Sequence, residues 1–123
     1  TASPAHGLLL PAKGCADIGP LVIKASAGTL FKGNILRCDS LARALKAFKD
    51  KGFEICTLSS HQAIPLAEFK PTAPVIYVLG NETEGVSKEI AALSDHRVGI
   101  PMANGVESLN VAITAALIAF KSL

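Results

Sequence analysis

The feature that most limits the fold is the run Val75-Ile76-Tyr77-Val78-Leu79, bounded by Pro74 and Gly80. Five consecutive apolar residues leave no polar face, so a strand made from them must be covered on both sides. Sheets covered on both sides belong to chains in which strands alternate with helices, because crossover helices pack on the two faces. The rest of the sequence supplies that alternation. Residues 7–10 read as a short buried strand closed by Pro11, residues 20–27 as a helix stopped at Gly28, and residues 35–38 as a second strand. Asp39 or Ser40 then caps an amphipathic helix in which Leu41, Ala44, Leu45 and Phe48 share a face, ending at Gly52. Residues 53–58 form a third strand, and residues 59–70 a loop with one helical turn after Pro65. Beyond the apolar run come a short helix at 87–93 with Ser87 as N-cap and a strand at 97–100 stopped by Pro101. The last helix is placed at 109–120, with Ser108 as N-cap. The reading is a single α/β domain over residues 1–123, a mostly parallel sheet flanked by helices.

That last helix adds a constraint of its own. Only Asn110 and Thr114 interrupt its apolar surface. A helix apolar nearly all round needs cover nearly all round. The sheet can cover one side, and a partner subunit is the natural cover for the other. Half of the 123 residues are apolar, fewer than a fifth are charged, and the net charge is only +2. Such a chain builds a compact core but carries no electrostatic footprint for strong non-specific nucleic-acid binding, so any nucleic-acid contact must be local or supplied elsewhere. Arg43, Lys46 and Lys49 lie off the apolar face of the second helix, and fit either a solvated surface or contact with a phosphate backbone. Cys15, Cys38 and Cys56 form no Cys-x-x-Cys pair, and His6, His61 and His96 fall in no metal-ligand spacing, so no metal is expected. The thiols read as reduced and mostly buried in a cytoplasmic protein. The longest apolar run is too short to span a bilayer, and no secretory signal opens the chain.

Ligands of open parallel sheets bind beyond the carboxyl ends of the strands. Three loops fall there, at residues 57–62, 80–86 and 101–107. The second, Gly80-Asn81-Glu82-Thr83-Glu84-Gly85-Val86-Ser87, has the outline of a phosphate-binding P-loop, but Val86 stands where the essential Lys belongs. A carboxylate such as Glu82 or Glu84 about 4 Å from a phosphate charge would cost roughly 4 kcal/mol at a surface-like dielectric. A neutral or cationic ligand suits the loop better, and so does no ligand at all, as a solvated glycine turn. In the third loop, Pro101 and Gly105 deliver the chain to a helix N-terminus, where Ser108 and Asn110 add polar side chains.

These residues resemble the SpoU (TrmH-like) RNA 2′-O-ribose methyltransferases of the SPOUT superfamily. Leu79-Gly80-Asn81-Glu82 with Glu84-Gly85-Val86 is similar to the family's second motif. Ile100-Pro101-Met102 with Val106-Glu107-Ser108-Leu109-Asn110-Val111-Ala112 is similar to its third, and Lys24-Ala25-Ser26-Ala27-Gly28-Thr29-Leu30 to a segment many members carry earlier. The resemblance covers nearly the whole chain in the right order. It implies a C-terminal trefoil knot, a homodimer, and methyl transfer from S-adenosylmethionine to a ribose 2′-OH in rRNA or tRNA. By the same resemblance the cofactor contacts fall on Thr57, Leu58, Ser59, Gly80, Ile100, Met102, Ser108 and Leu109, many through backbone atoms. Glu82 matches the second-motif acid and would orient its neighbours, while Ser108 and Asn110 would position the cofactor or the target nucleotide. The family's first motif, with its catalytic Asn and Arg, is expected before residue 1, and Arg37, Arg43 and Arg97 do not stand in its context. Methyl transfer by these 123 residues alone is therefore expected to be weak or absent. A non-catalytic module binding cofactor or RNA through the same loops, and a degenerate nucleotide-binding domain, are the competing readings.

Overall fold

The computed structural model describes residues 5–11, 34–59, 63–80, 86–103 and 110–121. Six strands occur among them: β1 (Leu8–Pro11), β2 (Ile35–Cys38), β3 (Glu54–Leu58), β4 (Ile64–Pro65), β5 (Val75–Val78) and β6 (His96–Gly99). Three helices complete the described residues: α1 (Leu41–Asp50), α2 (Lys88–Ala91) and α3 (Val111–Ala119). Every ladder is parallel. The strands fall into two hydrogen-bonded sets, β1-β2 and β4-β6-β3-β5, where the sequence suggested one sheet. The helix expected at residues 20–27 lies outside the described residues.

The four-stranded sheet is covered on both faces, as the apolar run in β5 requires. Side chains alternate strictly along its strands. On one face Ile55, Val78 and Leu45 form a buried cluster joined by Leu41, Ile76, Val86, Ile90 and Leu93, so α1 and α2 pack here. On the other face Cys56, Val98, Leu66 and Phe69 form a second cluster, with Leu58, Val75, Tyr77, Ile100 and Ile118 against it. The turn after β4 supplies Leu66 and Phe69, and α3 supplies Ile118.

α1 starts where expected because the Ser40 side chain accepts the Arg43 backbone N–H, a first-turn donor with no partner in the helix. It ends at Gly52, whose φ of 96° is left-handed and free of strain only without a Cβ. Ser87 caps α2 in the same way.

Two expectations are corrected. Residues 64–65 are not loop: Ile64 and Pro65 pair with Val98 and Gly99 of β6. Pro65 lacks a donor N–H, so it marks this as an edge strand, and two residues are too short to leave a periodic signal. The predicted turn follows directly, with the Glu68 and Phe69 N–H groups bonded to the Pro65 carbonyl. The cap of the last helix is Asn110 rather than Ser108, and the helix begins at Val111. The Asn110 Oδ1 accepts the Ala112 N–H at 2.8 Å. Asparagine is among the strongest N-caps, and this bond accounts for a polar amide at the head of an apolar helix.

Asp95 extends the central ladder by one rung with its side chain. Its N–H donates to the Ile55 carbonyl and its Oδ2 accepts the Ile55 N–H, both at 2.8 Å, while Oδ1 pairs with Lys49 at 3.1 Å. The Ile55 hydrogen bond first, and Lys49 with it, hold the Asp95 carboxyl below its ordinary value. Because the folded-state pKa is depressed, this stabilisation is complete above the unfolded carboxylate value, about pH 3.9, and is lost as the pH falls further toward the folded value. Asp95→Ala is expected to cost about 1–3 kcal/mol in urea denaturation, since it leaves a fully buried N–H unpaired. Asp95→Asn, which keeps an acceptor but no charge, should cost less and flatten the loss of stability below pH 4. An Asp95→Asn curve as steep in acid as the wild type would show that other carboxylates dominate.

Candidate functional site

The parallel register sets the carboxyl ends of β3, β5 and β6 level. Thr57 stands opposite Val78 of β5, and Leu58 opposite Val98 of β6. The chain leaving β3 therefore carries Thr57, Leu58 and Ser59 to one edge. The chain leaving β5 brings Gly80 there, and the chain leaving β6 brings Ile100 and Met102.

Gly99 makes this edge close-packed. A Cβ on Gly99 would stand 2.5 Å from the Ser59 carbonyl oxygen and 3.2 Å from the Ala63 Cβ. Only glycine lets the two backbones meet at this distance. Hydrogen bonds hold them there: Ser59 N–H donates to the Val98 carbonyl and Leu66 N–H to the Gly99 carbonyl, both at 2.8 Å. Gly99 was missed in the sequence, where a glycine at the end of a strand, just before Ile100-Pro101, was its one signal.

The side chains at this edge are mainly apolar. Leu58 and Ile100 are half-buried against the Cys56, Leu66, Phe69 and Val98 cluster, and Met102 is half-buried. The Thr57 hydroxyl is 2.9 Å from the Ser94 hydroxyl, and Ser94 donates to the His96 carbonyl at 2.6 Å. With the Ser94 proton committed, Thr57 is the donor, and its hydroxyl is consumed inside the protein. Glu82, Ser108 and Leu109 lie outside the described residues. Asn110 is described and exposed at the head of α3, its Oδ1 taken by the cap.

Other chemistry-bearing groups have structural occupations. Burial, and Glu54 after it, push the Cys56 thiol up to about 11, so it is protonated at neutral pH and no nucleophile. Cys38 is half-buried, and Cys15 lies outside the described residues. An open depression of about 350 Å³ lies where the chain enters β6, lined by Ile64, Ala91, Ser94, Asp95, His96 and Arg97. It is remote from the carboxyl edge, and its Ser94, Asp95 and His96 are engaged with the His96 carbonyl, the Ile55 N–H and Glu54. Among the described residues no group of three or more His, Cys, Asp or Glu could hold a metal ion, and no helix is long and apolar enough to cross a membrane.

Residues 1–120 match the model of the SpoU rRNA Methylase family. A relative named as an uncharacterized tRNA/rRNA methyltransferase, from Mycolicibacterium smegmatis, is 33% identical over 113 residues, which are 92% of this chain and 36% of that protein. The chain thus spans about a third of the length of that curated relative. Among solved structures it is similar to the SpoU methyltransferase AviRb from Streptomyces viridochromogenes, crystallised with AdoMet. That match has 29% identity and a TM-score of 0.83, and covers 97% of this chain and 47% of AviRb. It is similar too to a structure described as an RNA 2′-O ribose methyltransferase, with 28% identity and a TM-score of 0.84 over 98% of this chain and 46% of the other.

Proposed function

Because the chain belongs to the SpoU rRNA methylase family, we propose that it forms the S-adenosylmethionine-binding part of an enzyme that methylates a ribose 2′-OH of rRNA or tRNA. The observation that carries this reading is the packing of β6 against the segment after β3. The contact of Gly99 with Ser59 holds the third-motif strand against the segment after β3, and the β3–β5 ladder brings the second-motif strand to the same edge, where Leu58, Ile100 and Met102 are half-buried.

The residues fit this cofactor. Half-buried apolar side chains suit a flat, neutral base, and backbone groups in irregular segments suit its polar edge. The acidic residues Glu82 and Glu84 suit a ligand that carries a positive charge and no phosphate. When bound, S-adenosylmethionine supplies a methyl group on a sulfonium, open to in-line attack by the ribose oxygen. The chain's part is binding and orientation. Leu58, Ile100, Met102 and Leu109 would grip the base, and the backbone at Thr57, Ser59 and Gly80 would fix its edge. Glu82 would orient neighbouring groups, with Ser108 and Asn110 positioning the cofactor or target nucleotide. The trefoil knot belongs to the same reading, since the segments of the second and third motifs would form it. So does a homodimer, for which the uncovered apolar stripe of α3 is the support.

The test is a calorimetric titration of the folded chain with S-adenosylhomocysteine. One site per subunit is expected. Asn110→Ser keeps a capping oxygen and removes the amide, so it should weaken binding or methyl transfer without unfolding α3. Absence of binding by a chain shown to be folded by circular dichroism would overturn the reading. Binding by this chain, with no transfer of labelled methyl from S-adenosylmethionine to RNA by a longer protein that carries the family's first motif as well, would favour a non-catalytic module.

A further inference from the structure

The charge on this chain is unevenly spread. Residues 37–51 hold five cations, Arg37, Arg43, Lys46, Lys49 and Lys51, against the carboxylates of Asp39 and Asp50. That local balance of +3 in a chain of +2 leaves the remaining residues slightly acidic. Three of the five, Arg43, Lys46 and Lys49, belong to α1 and lie off its inner side, which Leu45 and Leu41 fix against the sheet. Arg43 and Lys46, three residues apart, stand one above the other on the helix surface and are exposed. With Ala42, and with Glu89 and Leu93 of the α2 region, they line an open groove between α1 and α2. Lys49 continues the line but is held by Asp95 and by the Leu93 carbonyl. Among the described residues, neither Arg43 nor Lys46 has a side-chain ion-pair partner.

The groove also has a definite place in the fold. α1 turns back through residues 51–53 into β3 and packs on it, so the two run antiparallel. About 15 Å of helix lies beside about 16 Å of strand. The first turn of α1, with Arg43, is therefore level with the carboxyl end of β3. α2 starts from the same edge because it follows β5, and its first residue, Lys88, is an exposed cation. The cationic groove thus opens beside the edge assigned to methyl transfer.

We propose that this groove docks the phosphate backbone of RNA, with Arg43 and Lys46 as its phosphate-binding side chains. The inference rests on the methyltransferase reading only for the identity of the polyanion. The low net charge of the whole chain is consistent with it: the contact is local, and it adds affinity and orientation rather than sequence discrimination. Glu89 on the opposite wall works against binding.

The experiment measures the affinity of the chain for a fluorescent, unmodified tRNA transcript between about 50 and 200 mM salt, with S-adenosylhomocysteine titration in parallel. In Arg43→Glu/Lys46→Glu, affinity at the lowest salt should fall by about tenfold or more, and the slope of log affinity against log salt should shrink by about 2. Cofactor affinity should be unchanged. Arg43→Gln/Lys46→Gln should show the same direction with a smaller loss, and serves if the double reversal perturbs folding. Glu89→Gln should bind roughly two- to threefold tighter. Wild-type affinity and slope in both double variants would overturn the proposal, whatever the cofactor result. Loss of slope in a chain that binds no S-adenosylhomocysteine would uphold this surface and sink the methyltransferase reading instead.

Discussion

Gly99→Ala is expected to reduce S-adenosylhomocysteine affinity by at least about tenfold and to cost about 1–3 kcal/mol of stability, because the new methyl overpacks a backbone contact that cannot yield cheaply. The atom it meets, 2.5 Å away, is the Ser59 carbonyl oxygen, not the end of a flexible side chain. Relief requires the segment after β3 to move away from β6, which strains the Ser59-to-Val98 hydrogen bond and separates the two sides of the proposed crevice. Gly52→Ala is the matching control. A Cβ there meets nothing within 4 Å, but the residue sits at φ +96°, so the cost is backbone strain at a point remote from the crevice. Stability should fall while cofactor affinity holds. Calorimetry on both variants, with urea denaturation alongside, separates the two. Equal cofactor affinity in Gly99→Ala and wild type would mean that the ligand does not use the carboxyl ends of β3 and β6.

Leu117→Glu is expected to turn the homodimer proposed above into a monomer. In the single chain, Ile113, Leu117 and Phe120 are 53%, 47% and 43% exposed, and they recur along one side of α3 at helical spacing. Such an exposed apolar stripe marks a surface that is covered in use. Fully burying a leucine contributes about 1.5–3 kcal/mol, and a two-fold interface contains the position twice. The dimer dissociation constant should therefore rise by at least about a hundredfold, read by sedimentation equilibrium. Circular dichroism should be little changed, since Leu117 makes no part of either buried core. A wild-type chain that sediments as a monomer at high micromolar concentration would remove this stripe as the interface.

Much of the fold was legible because it depends on local chemistry. The run at residues 75–79 demanded cover on both faces, and the structure supplies α1 and α2 on one side and the Leu66, Phe69 and Ile118 layer on the other. Ser40, Gly52 and Ser87 act at the helix ends where their side chains, or the lack of one, indicated. The cap of α3 was misplaced by two residues because Ser108 and Asn110 are both good caps, and sequence ranks them without knowing where the loop delivers the chain. The strand at Ile64–Pro65 was missed because two residues carry no periodicity. Their pairing with Val98 and Gly99 comes from a partner more than thirty residues away.

The candidate site divides along the same line. Its location beyond the strand ends, its acidic loop and its lack of a phosphate-binding lysine are properties of residue type and order, and the sequence alone determined them. Three facts depended on tertiary structure. The Thr57 hydroxyl is spent on Ser94, Gly99 is the point where two backbones touch, and the cations of α1 stand beside the carboxyl edge. Each is a relation between segments that the chain separates and the sheet brings together. Composition and periodicity report what one segment prefers; which atoms meet is decided only when the segments pack, because contact distance is a property of pairs.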